Sequence, residues 1–368
     1  MALSNVSPLF EPLTVGALRL RNRVVMAPMS RYFAVDGILP AESTSYYARR
    51  AEGGVGLVIT EGATPDHAAA AFRNGVPQFH GAALAKWKEV AKEVHASGSH
   101  IVAQLWHAGL ERSVASSMAV AIAPSKIQAP WAPHHRAMTY SDMNMVVQAF
   151  ATSARAAQDI GFDGVNIHGA HGYLIDQFFW QRTNLRNDEF GGSLDRRARL
   201  AADIITAVRE KTSPDFLIMF RFSQWKVRDY EASLASDPSE LAAFLAPLVH
   251  AGVDIFDAST RRFWKQEFLN DARNLAGWTH SVTGLPSMTV GSISLSSPRR
   301  LMPDMPECSP KLASENIQVL TQRLRAGEFQ LAAVGRALIA NPNWVEIVRR
   351  GAYEELVPYE KRMLESLH

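Results

Sequence analysis

Short apolar runs alternate with longer amphipathic stretches along most of the chain. Eight runs rich in apolar and β-branched residues predict strands buried on both faces: "RVVMAP" ending at Pro28, "VGLVIT" at Thr60, "HIVAQL" at Leu105, "FDGVNIH" at His168, "FLIMFR" at Arg221, "VDIFDA" at Ala258, "SMTVG" at Gly291 and "QLAAVGR" at Arg336. Helical spacing of apolar residues predicts helices between them, including Leu84–Ser97, Asp142–Ile160, Asp195–Lys211, Pro238–His250 and Ser309–Arg325. This alternation indicates parallel βαβ units.

The ends of several predicted helices carry capping residues. Candidate N-caps are Ser141, Ser193 and Asp237, and candidate glycines just beyond the helix ends are Gly98, Gly161 and Gly252. Eight βαβ units then predict an α/β fold, a single TIM barrel over residues 1–368. We expect a capping excursion after the third strand and extra loops at the carboxyl-terminal face.

A doubly wound sheet is the main alternative to the barrel. Its dinucleotide-binding form requires G-x-G-x-x-G after the first strand, and "RVVMAPMSR" has no glycine there. The glycines of Glu52–Gly56 precede a strand, which is typical of a turn that ends a helix. The pattern therefore favours the barrel.

Polar residues and glycines follow the predicted strands closely. They are Ser30, Glu61, Gly62, Gln104, His168, Arg221, Gly291, Gly335 and Arg336. The carboxyl ends of barrel strands meet at one face, where catalytic loops lie, so these residues are expected to form one site. Glycines after the last two strands, with Arg336, suit a phosphate group, although each glycine alone could be a tight turn.

Two of these residues, Gln104 and Arg221, suit a heterocyclic ligand. The Gln104 amide can both donate and accept along the edge of a ring, and the Arg221 guanidinium can hold a delocalised negative charge. A structural ion pair between Arg221 and Glu61 is the alternative, and the sequence leaves it open.

His168 and His171 have three possible roles. A metal pair would need a third ligand, for which Asp257 and Glu61 are the candidates, and Arg221 would place a positive charge beside the metal. Since no H-x-H or H-E-x-x-H pattern occurs, we expect no metal and favour a pair that anchors substrate. A structural pair remains open.

Composition and charge restrict the partners. The chain has 47% hydrophobic and 20% charged residues and a net charge of only +2, which gives no strong field for nucleic acid or an anionic membrane. It has no signal-peptide pattern and nothing near the roughly 18 uninterrupted apolar residues of a membrane span. Cys308 is the single cysteine, which excludes an internal disulfide. We expect a cytoplasmic monomer or homodimer.

The chain resembles the Old Yellow Enzyme family of FMN-dependent ene reductases over nearly its whole length. The segments that carry the resemblance are "PLFEPLTVGALRLRNRVVMAPMSR", "VITEGA", "IVAQLWHAG", "DGVNIHGAHGYLIDQFFWQRTNLRNDEFGGSLDRRAR", "VGSI" and "AVGRALIANPNW". It departs from the family pattern at Ser30, where other branches have cysteine or threonine, and at Trp180, where a small residue is usual. Ser259–Phe268, "STRRFWKQEF", has no familiar counterpart, and its aromatic residues are candidates for reshaping the pocket mouth.

The resemblance implies a cofactor site for FMN. The implied contacts are Pro28, Met29, Ser30, Gly62, Gln104, His168, Arg221, Gly291, Ser292, Gly335 and Arg336. Among them, Gln104 binds the pyrimidine ring and Arg221 stabilises the reduced flavin near N1. Gly291, Gly335 and Arg336 match the phosphate end.

The resemblance also implies a ping-pong reaction. NADPH or NADH reduces FMN and leaves, and an α,β-unsaturated carbonyl or nitro compound is then reduced at its C=C bond. His168 and His171 bind the substrate oxygen and Tyr173 donates the proton. Oxidative N-demethylation of a small amine is the nearest alternative; a metal-dependent barrel hydrolase and a flavin-bound binding protein are more remote ones.

Overall fold

Eight parallel strands close into a barrel in the computed structural model, which describes residues 3–113, 119–295 and 310–368. Each strand pairs with the next one in the chain, and the last pairs with the first. The strands are β1 (Val24–Met26), β2 (Leu57–Ile59), β3 (His100–Leu105), β4 (Gly164–His168), β5 (Leu217–Phe222), β6 (Ile255–Ser259), β7 (Ser287–Val290) and β8 (Leu331–Val334). The predicted TIM barrel is confirmed.

A helix follows every strand and covers the outside of the barrel. These helices are α1 (Glu42–Glu52), α2 (Ala83–Ala96), α3 (Tyr140–Asp159), α4 (Arg199–Lys211), α5 (Pro238–Ala251), α6 (Leu275–Thr283), α7 (Pro310–Arg325) and α8 (Trp344–Arg350). Shorter helical segments span Leu3–Phe10, Gly109–Glu111, Leu174–Phe179, Leu194–Arg197, Arg336–Ala340, Tyr353–Glu355 and Lys361–Leu364. Within the described ranges, no helix has the length and apolar character needed to cross a bilayer.

Side chains alternate between two apolar layers because successive strand residues point to opposite faces. In β1, Val25 packs inside the barrel, whereas Val24 and Met26 pack in the layer beneath the helices. Inward-facing residues of other strands, such as Leu57 and Met219, pack against Val25 and fill the interior of the barrel. Full burial of such a side chain contributes about 1.5–3 kcal/mol. The barrel interior is therefore filled by side chains, and a ligand can bind only at an end of the barrel.

A hairpin closes the amino-terminal end. Strands Leu13–Val15 and Leu18–Leu20 pair antiparallel, and their apolar side chains pack against the barrel interior. His100, the first residue of β3, lies against the Arg19 carbonyl of this hairpin, with Nε2 3.2 Å from the oxygen. The opposite, carboxyl-terminal end therefore remains for the polar residues that follow the strands.

The expected excursion after β3 is present. It contains the Gly109–Glu111 turn and a short parallel pair, Ile122–Ala123 with Arg136–Ala137, while residues 114–118 lie outside the description. The Leu110 N–H donates to Gln177 Oε1 at 3.2 Å. This bond joins the excursion to the helical segment Leu174–Phe179 at the carboxyl-terminal face.

Helix caps agree in part with prediction. Asp237 caps α5 through the N–H groups of Ser239 and Glu240, and Gly252 ends it with φ 102°. Ser193 is the N-cap of Leu194–Arg197. Ser141 is not a cap, because Thr139 and Asp142 form a reciprocal capping box two residues earlier.

Several predicted boundaries differ from those in the structure. The helix Asp195–Lys211 divides at Ala198 into Leu194–Arg197 and α4. The strand predicted to end at Arg336 stops at Val334, and Arg336 begins a short helix instead. Ser309, the predicted start of another helix, lies outside the described residues, as does Cys308; the described helix begins at Pro310.

Candidate active site

Strand register aligns the polar residues at the carboxyl-terminal face. Gln104 of β3 lies opposite Asn166 of β4, and His168 of β4 lies opposite Arg221 of β5. Arg221 in turn lies opposite Asp257 of β6. Residues that are scattered along the sequence therefore become neighbours across three strand pairs.

A cavity of about 120 Å³ opens among these residues. Its lining consists of Pro28, Ser30, Gln104, Trp106, His168, His171, Tyr173 and Arg221. Seven of these eight residues are predicted site residues, and Trp106 is the addition. The structure thus brings the predicted substrate residues into one cavity with several of the predicted flavin contacts.

A hydrogen-bond network runs beneath the cavity. Gln104 Nε2 donates to Asn166 Oδ1 at 3.0 Å, and Asn166 Nδ2 donates to Asp257 Oδ2 at 3.2 Å. Arg221 Nη1 donates to the same Asp257 oxygen at 2.8 Å. The ion-pair partner of Arg221 is therefore Asp257, and the alternative pairing with Glu61 is wrong, because strand register places Asp257 directly beside Arg221.

His168 and His171 are neutral donors or acceptors in this setting. Their ring centroids are 5.0 Å apart. Burial lowers the pKa of both imidazoles well below the usual range, and the positive charge of Arg221 lowers them further. His168 Nδ1 is buried and has no hydrogen-bond partner among the described residues. An orphaned buried nitrogen in a polar cavity indicates a place for a ligand atom.

His171 is held by Ser259, the last residue of β6, and by Trp225 in the loop after β5. Its Nε2 lies 2.8 Å from Ser259 Oγ, which also accepts a bond from Arg221 Nη2 at 3.0 Å. The Trp225 ring stacks on the imidazole, with centroids 4.3 Å apart. Nδ1 is consequently the ring nitrogen of His171 that is left for a ligand.

Tyr173 lies in an aromatic corner of the cavity. Its ring makes edge contacts with Trp106 at 4.7 Å, His168 at 5.3 Å and Phe72 at 6.1 Å between centroids. Burial raises the pKa of the phenol above its usual value. The hydroxyl is therefore protonated at neutral pH and can act as a donor.

The metal interpretation of His168 and His171 finds no support in the described ranges. There, the group of ligand-type side chains close enough for an ion is His95, His100 and Asp163. That group lies at the amino-terminal end of β3, at the opposite end of the barrel. Among the residues that the structure describes, no carboxylate completes a ligand set with His168 and His171.

The predicted phosphate end lies where β7 and β8, which pair with each other, terminate. Gly291 has φ 140°, and an added Cβ would lie 2.5 Å from the Thr260 carbonyl oxygen, so only glycine fits. Gly335 lies against Met29, whose sulfur would be 3.6 Å from an added Cβ. Ser292 Oγ donates to the Arg261 carbonyl at 2.9 Å. The Arg336 guanidinium lies over the Tyr359 ring at 5.6 Å.

These residues fit a flavin in their chemistry. Gln104 donates one amide hydrogen to Asn166, and its carbonyl oxygen remains to accept from a ring N–H. Arg221 supplies a cation to the cavity lining. At Gly62 an added Cβ would lie 2.8 Å from the Trp106 ring, so only glycine fits there. The residues present are consistent with a planar heterocycle that carries acceptor and donor edges.

Glu61 links two loops that contribute predicted flavin contacts. Its Oε2 accepts the Arg31 N–H at 3.0 Å, directly after Ser30, and its own N–H donates to the Tyr47 hydroxyl at 2.9 Å, directly before Gly62. Burial raises the pKa of Glu61 to about 7, against the opposing effect of the Arg31 N–H. The carboxyl is therefore a structural anchor that titrates near neutrality.

Glu61→Gln is expected to change the pH dependence of stability. The carboxyl loses its proton near 4.5 when unfolded and near 7 when folded, so wild-type stability falls as pH rises through that window. The variant lacks this loss and should gain roughly 2–3 kcal/mol relative to wild type between about pH 5 and about pH 8. Urea unfolding at fixed FMN concentration measures it. Glu42→Gln, at an exposed carboxyl, is the control; a parallel pH profile in Glu61→Gln would contradict the prediction.

The sequence interpretation missed several residues around the site. Asp257 was considered only as a metal ligand, and Trp106, Trp225 and Ser259 were not assigned to the site. Trp106 directly follows β3, which is a signal that could have identified it. Ser259, the last residue of β6, has the same kind of position, whereas the proximity of Trp225 to His171 depends on how the loops after β4 and β5 fold.

The aromatic residues of Ser259–Phe268 do not line the cavity. Phe263 and Phe268 are buried in the apolar layer, and Trp264 packs against it. Trp180 lies outside the cavity as well, in a small space behind the His171–Gly172 turn. Ser259 is the residue of this segment that reaches the site.

Sequence comparison identifies relatives over most of the chain. The profile of the NADH:flavin oxidoreductase / NADH oxidase family matches residues 8–301. The NADH oxidase of Thermoanaerobacter brockii is 32% identical over 364 residues, which is 95% of this chain and 52% of that protein. Chanoclavine-I aldehyde reductase of Penicillium roqueforti is 38% identical over 253 residues, 66% of each chain. The matches thus span about half to two thirds of these relatives.

Solved structures show the same fold. Old Yellow Enzyme from Pichia sp. AKU4542 superposes with a TM-score of 0.78 at 24% identity, covering 97% of this chain and 90% of that one. Morphinone reductase in complex with tetrahydroNAD superposes with a TM-score of 0.78 at 24% identity, covering 97% and 93%. The family match over residues 8–301 carries the assignment beyond the fold. The chain belongs to the NADH:flavin oxidoreductase / NADH oxidase family, the Old Yellow Enzyme family of FMN-dependent oxidoreductases.

Proposed function

We propose that the protein uses NADPH or NADH to reduce the activated C=C bond of α,β-unsaturated carbonyl or nitro compounds. The observation that carries the proposal is the convergence of two neutral histidines and a protonated tyrosine on one cavity that also holds Gln104 and Arg221. The two histidines are suited to bind a substrate oxygen that gains negative charge, and the tyrosine is suited to donate a proton to carbon.

The cofactor would be held by residues from several strand ends. Gln104 and Arg221 would bind the ring system, with Pro28, Met29, Ser30 and Gly62 along its other edge. Gly291, Ser292, Gly335 and Arg336 would bind the phosphate. FMN, when bound, supplies the two-electron chemistry that links the nicotinamide nucleotide to the substrate.

His168 and His171 would bind the carbonyl or nitro oxygen of the substrate. Negative charge develops on that oxygen as the double bond is reduced, and preorganised donors stabilise it most when water is excluded. His171 Nε2 faces Ser259 Oγ, so a hydrogen bond from His171 to the substrate oxygen would come from Nδ1, which would then carry the proton. Ser259 would then donate its hydroxyl hydrogen to Nε2 and set this tautomer.

Tyr173 would donate the proton to Cα. Burial holds its pKa above the usual value, so the phenol stays protonated until the carbanion forms. Its contacts with Trp106 and His168 keep the ring beside the substrate oxygen site. A positioned acid of this kind contributes about 10²–10⁴-fold to the rate.

The names of relatives support the proposed reaction class. One relative is the chanoclavine-I aldehyde reductase described above, and another is the putative 12-oxophytodienoate reductase 13 of Oryza sativa subsp. japonica. The latter is 35% identical over 243 residues, which is 65% of this chain and 63% of that protein. Both names denote reductases of small organic molecules.

The purified protein is expected to be yellow and to release FMN on heating. Under anaerobic conditions it should oxidise about one equivalent of NADPH or NADH per flavin without an acceptor, and many equivalents only when cyclohexenone or a nitroalkene is present. Absorbance of the nicotinamide and chromatography of the released flavin measure both results. FAD in place of FMN, or a flavin that neither nucleotide reduces, would contradict the proposal. Formaldehyde release from a small methylamine without enone turnover would favour oxidative demethylation.

A further inference from the structure

A fully buried ion pair lies behind the cavity. Lys226 Nζ and Asp176 Oδ1 are 2.7 Å apart, and both side chains are almost entirely inaccessible. Removing two charges from water carries a large desolvation penalty, so a buried pair is weak evidence for stability. Apolar residues of similar volume could fill the same space. The ion pair is therefore better explained by a role in holding nearby backbone in a defined conformation.

Asp176 uses its second oxygen to hold the turn between two proposed catalytic residues. Its Oδ2 accepts the Gly172 N–H at 2.6 Å. Gln177 Nε2 donates to the Gly172 carbonyl at 2.7 Å. Gly172 separates His171 from Tyr173, so its peptide groups determine how these two side chains are placed relative to each other.

The turn itself has an unfavourable backbone conformation. His171 has φ 66° and Gly172 has φ 84°, and a left-handed conformation is unfavourable at a non-glycine residue. Such a conformation persists only when surrounding contacts determine it. The segment after β5 supplies these contacts on the far side of the turn.

Lys226 belongs to that segment and contacts the turn through its neighbours. The Val227 N–H donates to the His171 carbonyl at 3.0 Å, and Ser223 Oγ accepts the His171 N–H at 3.0 Å. Lys226 Nζ also donates to the Ser223 carbonyl at 3.1 Å. The ammonium group thus joins the segment after β5 to Asp176, and Asp176 joins it to Gly172.

We propose that the Asp176–Lys226 ion pair is a positioning device that sets the relative placement of His171 and Tyr173. This inference rests on the proposed function, in which the two residues act on one substrate. Neither Asp176 nor Lys226 lines the cavity, so both act through the turn. The charged carboxylate gives the Gly172 N–H a stronger and more directional partner than a neutral acceptor would.

The experiment compares variants of the FMN holoenzyme. Asp176→Ala removes the bond to Gly172, and Lys226→Met leaves the carboxylate buried without its cation. Asp176→Asn/Lys226→Met removes both charges and keeps an oxygen that can accept the Gly172 N–H. Asp254→Ala is the matched control, because Asp254 also combines an ion pair, with Arg209 at 2.7 Å, with acceptance of a backbone N–H, from Ile218 at 2.7 Å.

Three measurements report on the turn. Titration with p-chlorophenol, an enolate mimic, gives an affinity through its charge-transfer absorbance. Hydrogen exchange of the peptide that contains Gly172 gives the protection of the turn. Thermal unfolding gives the stability of each variant, so that a general loss of stability can be separated from a local effect.

Asp176→Ala is expected to weaken p-chlorophenol binding about ten- to a hundredfold, as expected for loss of a charge-assisted hydrogen bond. Exchange at Gly172 should become faster in the same variant. The double variant should recover affinity and protection beyond either single replacement. Asp254→Ala should lower the unfolding temperature while affinity and exchange at Gly172 remain at wild-type values.

Wild-type affinity and wild-type protection in Asp176→Ala would overturn the proposal, as would equal loss of affinity in Asp254→Ala. If Asp176→Ala does not fold, the double variant decides: affinity no better than in Lys226→Met contradicts the inference. Failure of the proposed function has a different signature. The wild-type protein would then bind no phenolate and reduce no enone, while hydrogen exchange at Gly172 would still report on the ion pair.

Discussion

Tyr173→Phe is expected to slow reduction of an ordinary enone by about 10²–10⁴-fold while NADPH still reduces the flavin at a rate close to that of wild type. The replacement removes one hydroxyl and leaves the ring contacts with Trp106 and His168 in place. The phenol is needed only when Cα takes up its proton, so the loss should fall on one half-reaction. Stopped-flow absorbance of the two half-reactions measures this separation.

A nitroalkene provides the internal test of this role. Its nitronate anion is stable enough to leave and to take a proton from water, so Tyr173→Phe should release nitronate where wild type releases nitroalkane. Tyr353→Phe, at a partly buried tyrosine in the 3₁₀ segment Tyr353–Glu355, is the control and should behave as wild type. Equal slowing of both half-reactions in Tyr173→Phe would show that the residue shapes the cavity and is not the acid.

Arg221→Met is expected to have two separate effects. It leaves the Asp257 carboxylate buried without its cation, which costs about 3–5 kcal/mol of folding free energy. It also removes the positive charge from the floor of the cavity, so reduction of the bound flavin should become slower and less favourable. Urea unfolding measures the first effect, and anaerobic reduction by NADPH together with the flavin potential measures the second.

The double variant Arg221→Met/Asp257→Asn separates these effects. The asparagine carries no charge and can still accept a bond from Asn166, so most of the lost stability should return. Flavin reduction should remain impaired, because the cation is still absent. Recovery of both properties would show that Arg221 has only a structural role. If Arg221→Met has the same free energy of unfolding as wild type, the prediction that the Arg221–Asp257 ion pair stabilises the fold is wrong.

The main features of the fold were predictable from local patterns. β1 and β5 are short apolar runs, and α5 begins directly after its N-cap Asp237 and ends before Gly252, as its capping residues indicate. Helix boundaries were harder to predict where several neighbouring residues could act as the N-cap. Thr139 is the N-cap of α3 in preference to Ser141, because its side chain accepts the Asp142 N–H and the Asp142 side chain accepts the Thr139 N–H in a capping box. The division of a predicted helix at Ala198 has no clear signal in the apolar pattern.

The site was predictable as far as its residues directly follow strands. Gln104, His168 and Arg221 share this property, and barrel geometry brings strand ends to one face. Ser30 also follows a predicted strand closely, whereas the placement of Tyr173 in the site came from the resemblance to a known family. The roles of all these residues remain predictions that the variants described above can test.

The periodicity and order of its residues were enough to determine that this chain forms a barrel and gathers its polar residues at the carboxyl-terminal face. Both properties depend on short-range patterns and on a general rule of barrel geometry. The partners of those residues were decided by the tertiary structure. Register selects Asp257 over Glu61 for Arg221, and the fold of the loops after β4 and β5 places His171 near Lys226 and near Ser259 of β6. Hydrogen bonds and ion pairs act over about 3 Å, so which groups pair depends on a spatial fit that no spacing along the chain encodes.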